Sequence, residues 1–89
     1  KQAQGQELLR VRIEGASSDV IIGTLQRIDS VSMVDIFSKD NLTLTIQSKP
    51  GSSSIKSIFD LCVQNKWYLM QMTPMETRLE DIFRDLTLN

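Results

Sequence analysis

Few side chains in this 89-residue chain could support catalysis or metal binding. The sequence contains no histidine, the commonest general base and metal ligand in proteins. Its one cysteine, Cys62, cannot form a CxxC pair or an internal disulfide, and we expect it to be buried on the apolar face of a helix. The scattered glycines form no phosphate-binding loop. We therefore predict no catalytic residue, no cofactor and no metal site in this chain.

Three carboxylates, Glu80, Asp81 and Asp85, lie close together near the end of the sequence. A pair of carboxylates can act as general acid and base in hydrolysis. Acidic residues in the first turns of a helix also interact favourably with the helix dipole and keep the outer surface hydrated. We favour this structural role for all three.

The composition limits the possible partners. Ten basic and eleven acidic residues give a net charge of −1, without a cluster of lysine and arginine. Nucleic-acid binding depends on such clusters, so we do not expect it. No apolar run approaches the roughly 20 residues that span a bilayer, and we expect no direct membrane insertion.

The domain organisation is simple. The first six residues are polar, and we assign 1–6 to the remnant of a linker and 7–89 to a single α/β domain. Because the chain starts without methionine, we expect it to be a piece of a longer protein. Its 40% apolar content is enough for one core.

Hydrophobic periodicity predicts four strands and three helices. The elements in chain order are a strand over 8–13, a helix over about 18–28, strands over 31–37 and 42–47, a helix ending near 65, and a strand over 67–73. We expect Pro74 to end the last strand because proline has no backbone N–H. The residues expected on the apolar helix faces are Ile21, Leu25 and Ile28 in the first helix, and Ile55, Ile58, Phe59 and Cys62 in the second.

A third helix is predicted at the C-terminal end. Thr77 and Glu80 fit the capping box that begins a helix. The residues that would share its apolar, packing face are Leu79, Ile82, Phe83 and Leu86.

This order of elements predicts an α+β, ferredoxin-like fold, β-α-β-β-α-β, in which two helices cover one face of an antiparallel sheet. The first and third strands would be central, with the polar residues Arg10, Arg12, Thr43 and Thr45 on the uncovered face. RNA-binding domains of this fold carry aromatic residues on those strands, so RNA binding is not expected.

The two edge strands are apolar on both sides. Simple alternation puts Val31 and Met33 on one face of the sheet and Val34 and Ile36 on the other. In the same way, it puts Trp67 and Leu69 on one face and Tyr68, Met70 and Met72 on the other. When both sides of an edge strand are apolar, another surface usually covers the second side. Here the third helix or a partner would provide that surface. We therefore predict an interface that includes Val34, Ile36, Tyr68, Met70 and Met72.

The segment TRLEDIFRDLT, over 77–87, resembles the S-L-E-D-x-F-x-x-L-T stretch that ends the ATPase subunits of ABC exporters of the drug-resistance and gliding-motility type. The matching residues are Leu79, Glu80, Asp81, Phe83, Leu86 and Thr87. Arg78 stands where serine is commoner, which moves the expected helix cap to Thr77. In outline the resemblance covers the whole chain, because those subunits carry a small C-terminal domain after a linker.

The resemblance implies a non-catalytic regulatory or dimerisation domain that helps to position nucleotide-binding domains for ATP-driven export. ATP and magnesium would bind upstream, so this piece would not itself be an enzyme. The implied partners are the ATP-binding domain of the same chain, a second copy and the membrane permease subunit. The implied location is cytoplasmic, peripheral to the inner membrane through the transporter complex. An alternative is a small-molecule sensor of the amino-acid-binding type, which uses the same order of elements.

Overall fold

The computed structural model describes residues 6–75, which form a four-stranded antiparallel sheet and two helices. The elements are β1 (Leu8–Glu14), α1 (Ser18–Gln26), β2 (Val31–Ser38), β3 (Thr43–Ser48), α2 (Ile55–Asn65) and β4 (Tyr68–Met75). The strands lie in the order β2-β3-β1-β4, and each neighbouring pair is antiparallel. This α+β arrangement is compatible with a ferredoxin-like fold. The predicted third helix, with Leu79, Ile82, Phe83 and Leu86, lies outside the described residues.

The hydrophobic core lies between the sheet and both helices. The buried apolar residues are Leu9, Val11 and Ile13 of β1, Leu44 and Ile46 of β3, Val31 of β2, Ile21 and Leu25 of α1, and Ile58 and Cys62 of α2. In β1 these are alternate residues, which share one face of a strand. Both helices therefore pack on the same face, and the predicted burial of Cys62 is confirmed.

The edge strands each contain extra residues that the central strands lack. Two residues of β2 oppose one of β3 at Ser32 and again at Phe37. In β4 the extra residue is Met70, which lies between the partners of Ile13 and Arg12. Such bulges bend a strand and increase its twist, which makes it a poor template for pairing with another chain.

These bulges correct the predicted faces of the edge strands. Val31 lies on the same face as Val34, because Ser32 shifts the alternation by one residue. Met72 lies on the helix-covered face with Leu69, and both pack against the core. The prediction that Val31 lies on the face away from Val34 is therefore wrong. The prediction that Met72 lies on the face away from Leu69 is wrong as well. Strict alternation holds only where a strand has no bulge.

The prediction that Pro74 ends the last strand is also wrong. β4 continues to Met75, and Pro74 is paired opposite Leu9. A proline is tolerated in an edge strand, where a missing N–H can be on the side that has no neighbouring strand.

The turn from β1 to α1 depends on a glycine. Gly15 has φ +122°, a backbone conformation that other residues rarely adopt. A Cβ atom at this position would lie 3.1 Å from the Cα atom of Trp67, which precedes β4. At Gly23, in the middle of α1, no atom apart from the neighbouring backbone of the helix lies within 4 Å of the corresponding position.

Replacing Gly15 or Gly23 by alanine should therefore have opposite effects on the free energy of unfolding. We expect Gly15→Ala to lower the free energy of unfolding by about 1–3 kcal/mol, through backbone strain and the contact with Trp67. Gly23→Ala should raise it by about 0.5–1 kcal/mol, because alanine favours a helix more than glycine does. Urea unfolding measures both, and equal effects would contradict this account of the turn.

Candidate interaction surfaces

A partly buried polar network joins the beginning of β1 to the beginning of α2. The Oε1 atom of Glu7 accepts hydrogen bonds from the Ser54 backbone N–H at 2.8 Å and from the Ser48 hydroxyl at 2.7 Å. Its Oε2 atom accepts from the Ser53 hydroxyl at 2.8 Å. The N-cap residue Ser54 makes no side-chain capping bond of its own. The carboxylate of Glu7, the residue before β1, therefore caps α2.

The network continues through three serine hydroxyls. The Oγ atom of Ser54 lies 2.8 Å from that of Ser30 and 2.7 Å from that of Ser48. The Ser48 backbone N–H donates to the Glu7 carbonyl at 2.9 Å, and the Lys49 N–H donates to the Ser30 carbonyl at 2.8 Å. These bonds hold together the ends of four elements.

Gln6 belongs to the same end of the sheet. Its side-chain oxygen accepts a hydrogen bond from Nε2 of Gln47 at 2.7 Å, and its own Nε2 donates to the Ser48 carbonyl at 3.4 Å. The sequence places Gln6 in a linker, whereas its side chain bonds to β3.

A carboxylate beside serine hydroxyls could in principle activate a nucleophile, but the geometry favours a structural role. Ser48 and Ser54 are fully buried, so a substrate cannot reach their hydroxyls. Glu7 also occupies the position at the N-terminus of α2 where an anion would otherwise bind. Burial raises the pKa of Glu7, but the hydrogen bonds from Ser54, Ser48 and Ser53 outweigh it, and the pKa is lower than usual.

The lowered pKa of Glu7 predicts a pH-dependent stability. The folded state holds the carboxylate ionised more strongly than the unfolded state does, so this contribution is full at neutral pH and is lost as the pH falls from about 5 through the folded pKa. We expect Glu7→Gln to lower the free energy of unfolding by about 1–2 kcal/mol at pH 7, and by less at pH 3.

Urea unfolding at pH 7, 5 and 3 measures this effect. Glu14→Gln is the matched control, because Glu14 is an exposed carboxylate at the other end of β1. Equal losses for the two variants at pH 7, or a Glu7→Gln loss that does not change with pH, would contradict the capping role.

The second helix exposes a stripe of large apolar side chains. Ile55, Phe59 and Val63 recur every four residues, and their exposed fractions are 37%, 55% and 62%. We call these three residues the α2 stripe. The sequence placed Ile55 and Phe59 on the buried face of the helix, which is wrong because the sheet covers mainly the side that carries Ile58 and Cys62.

The face of the sheet away from the helices is partly polar. We call it the open face. On the central strands it carries Leu8, Arg10, Arg12, Glu14, Thr43, Thr45 and Gln47, and β2 adds Asp35 opposite Thr45. The Arg10 guanidinium lies over the ring of Phe37, 3.6 Å from its centroid, in a cation–π contact. The Nε atoms of Arg10 and Arg12 are buried and have no hydrogen-bond partner among residues 6–75.

The predicted interface residues do not form one surface. Ile36, Tyr68 and Met70 are exposed, whereas Val34 and Met72 are half-buried and pack against the core. Tyr68 lies on the open face, opposite Glu14. The predicted interface did not include several other exposed apolar residues. Among them are Met33 and Phe37 on β2 and Val20 and Val63 on the helices.

Among residues 6–75, no group of three or more His, Cys, Asp or Glu side chains could hold a metal ion. Neither helix in that range has the length and apolar character needed to cross a membrane. Burial raises the pKa of the Cys62 thiol, which lowers its reactivity at neutral pH.

Comparison of the chain with models of known protein families, with curated proteins and with solved structures finds no match.

Proposed function

We propose that this domain is a non-catalytic regulatory and dimerisation domain of an ABC exporter ATPase subunit. Two copies would associate and so help to position the ATP-binding domains of the parent subunits, which themselves bind ATP and magnesium and contact the permease. The proposal draws on the resemblance of residues 77–87 to the end of such subunits, and on one surface of the described residues. We also infer a complete ferredoxin-like topology, which the order of the strands supports, and a third helix, which the apolar spacing over 79–86 supports.

The observation that carries the proposal is the α2 stripe. Its residues at i, i+4 and i+8 form a narrow apolar row, with the large ring of Phe59 in the middle. Such a row is complementary to itself when two helices pack in an antiparallel pair about a twofold axis. Phe59 of each copy would then lie near the axis. The exposed edges are less suitable for pairing because both are bulged.

Self-association through three side chains is expected to be weak, with a dissociation constant of about 0.1–1 mM, because the buried area is far below that of a stable dimer. We expect Val63→Lys to abolish it, since a lysine would be desolvated in the apolar row. Gln64→Lys makes the same change to lysine at the next, exposed position, and should leave association intact. Sedimentation velocity from 20 μM to 1 mM measures both.

Two results would contradict this dimer. One is a wild-type chain that stays monomeric at 1 mM. The other is association that persists in Val63→Lys but is lost in Met33→Lys, which would place the contact on the open face. Met33 suits this control better than Val34, because Val34 packs against the core and its substitution would also reduce stability.

A further inference from the structure

The open face contains an unusual pair of cations. Arg10 and Arg12 are two residues apart on the central strand β1, so their side chains emerge about 7 Å apart on the same face. Their Nε atoms are buried without a hydrogen-bond partner among residues 6–75, and Phe37 covers one side of Arg10. A guanidinium in this position interacts most favourably with a carboxylate.

The last described residue brings the chain to this face. Met75 is paired opposite Leu8 at the end of β4, and Leu8 shares the open face with both arginines. Met75 is thus at the end of an edge strand, from which the open face is within reach. The α2 stripe, by contrast, belongs to a helix that packs on the opposite side of the sheet.

The sequence of 76–89 complements the two arginines in charge and the open face in apolar content. The open face also carries two carboxylates of its own, Glu14 opposite Tyr68 and Asp35 opposite Thr45. It contains four carboxylates, Glu76, Glu80, Asp81 and Asp85, and two arginines, Arg78 and Arg84. Its apolar residues recur at helical spacing, and the open face has apolar side chains around the arginines, which are Leu8, Met33, Phe37, Tyr68 and Met75.

The length is also sufficient. Fourteen residues (76–89) would span about 21 Å as a helix. The width of four strands, across three spacings, is about 14 Å, and the seven residues of β1 extend for about 23 Å. A helix of this length can reach from β4 across both arginines towards β2.

We propose that residues 76–89 of the same chain pack across the open face, with Leu79 and Phe83 against its apolar residues and with carboxylates paired to Arg10 and Arg12. This contact is intramolecular and does not depend on the proposed dimer. It gives the Nε atoms of both arginines the hydrogen-bond acceptors that they lack within residues 6–75.

A double-mutant cycle on the full 89-residue chain tests this contact through Phe83 and Phe37. We expect Phe83→Ala to raise the unfolding equilibrium constant by about tenfold or more in the wild-type background, and by less than about threefold in a Phe37→Ala background, because residues in contact are coupled. Phe59→Ala, which alters the α2 stripe instead, should show no coupling with Phe83→Ala. The cycle should give the same result at 20 μM and 500 μM, since the contact lies within one chain.

Nuclear Overhauser effects in the folded wild-type chain provide a second measurement that does not require a folded variant. We expect contacts from the Phe83 ring to open-face side chains such as Leu8 and Phe37. Contacts to Phe59 or Val63, or no contact to any residue in 6–75, would overturn the proposal. Coupling that appears only at the higher concentration would also overturn it, because the segment would then bind a second copy.

Discussion

The carboxylate of Glu7 is the group on which the arrangement of this domain most depends. It accepts a hydrogen bond from the Ser54 backbone N–H at the beginning of α2 and another from the buried Ser48 hydroxyl of β3. Its own residue leads directly into β1. A single ionised side chain thus fixes the start of one helix relative to the two central strands. A neutral side chain could supply some of these bonds, but not the charge that favours a helix N-terminus.

The contrast between central and edge strands follows from their neighbours. β1 and β3 each have a partner on both sides, and a misplaced residue would leave backbone groups unpaired on two ladders. β2 and β4 have only one ladder to preserve, so they tolerate the bulges at Ser32, Phe37 and Met70 and the proline at 74. The same irregularities protect the exposed edges from pairing with other chains, which leaves the faces of the domain as its natural contact surfaces.

The sequence was informative where structure is local. Alternation and helical spacing located all six elements of residues 6–75, and they identified Ile58 and Cys62 of α2 as core. They could not reveal the bulges, because an extra residue in a strand depends on its partner and leaves no reliable signal in its own sequence. They also missed the role of Glu7, since its cap on Ser54 joins residues 47 positions apart. Three consecutive serines at 52–54 are typical of a helix start, but they give no sign of the distant carboxylate.

The α2 stripe has a simple geometric origin. Successive residues of a helix are about 100° apart, so Ile58, Cys62, Phe59 and Val63 together cover an arc of about 140° on one side of the axis. The sheet contacts α2 from one side, and it buries only the part of the arc that carries Ile58 and Cys62. The cap at Glu7 fixes the start of the helix, so α2 cannot rotate to bury the remainder without exposing Ile58 and breaking the cap. The exposed part is therefore set by the same contacts that hold the core, and contact with another surface is the way to remove it from water.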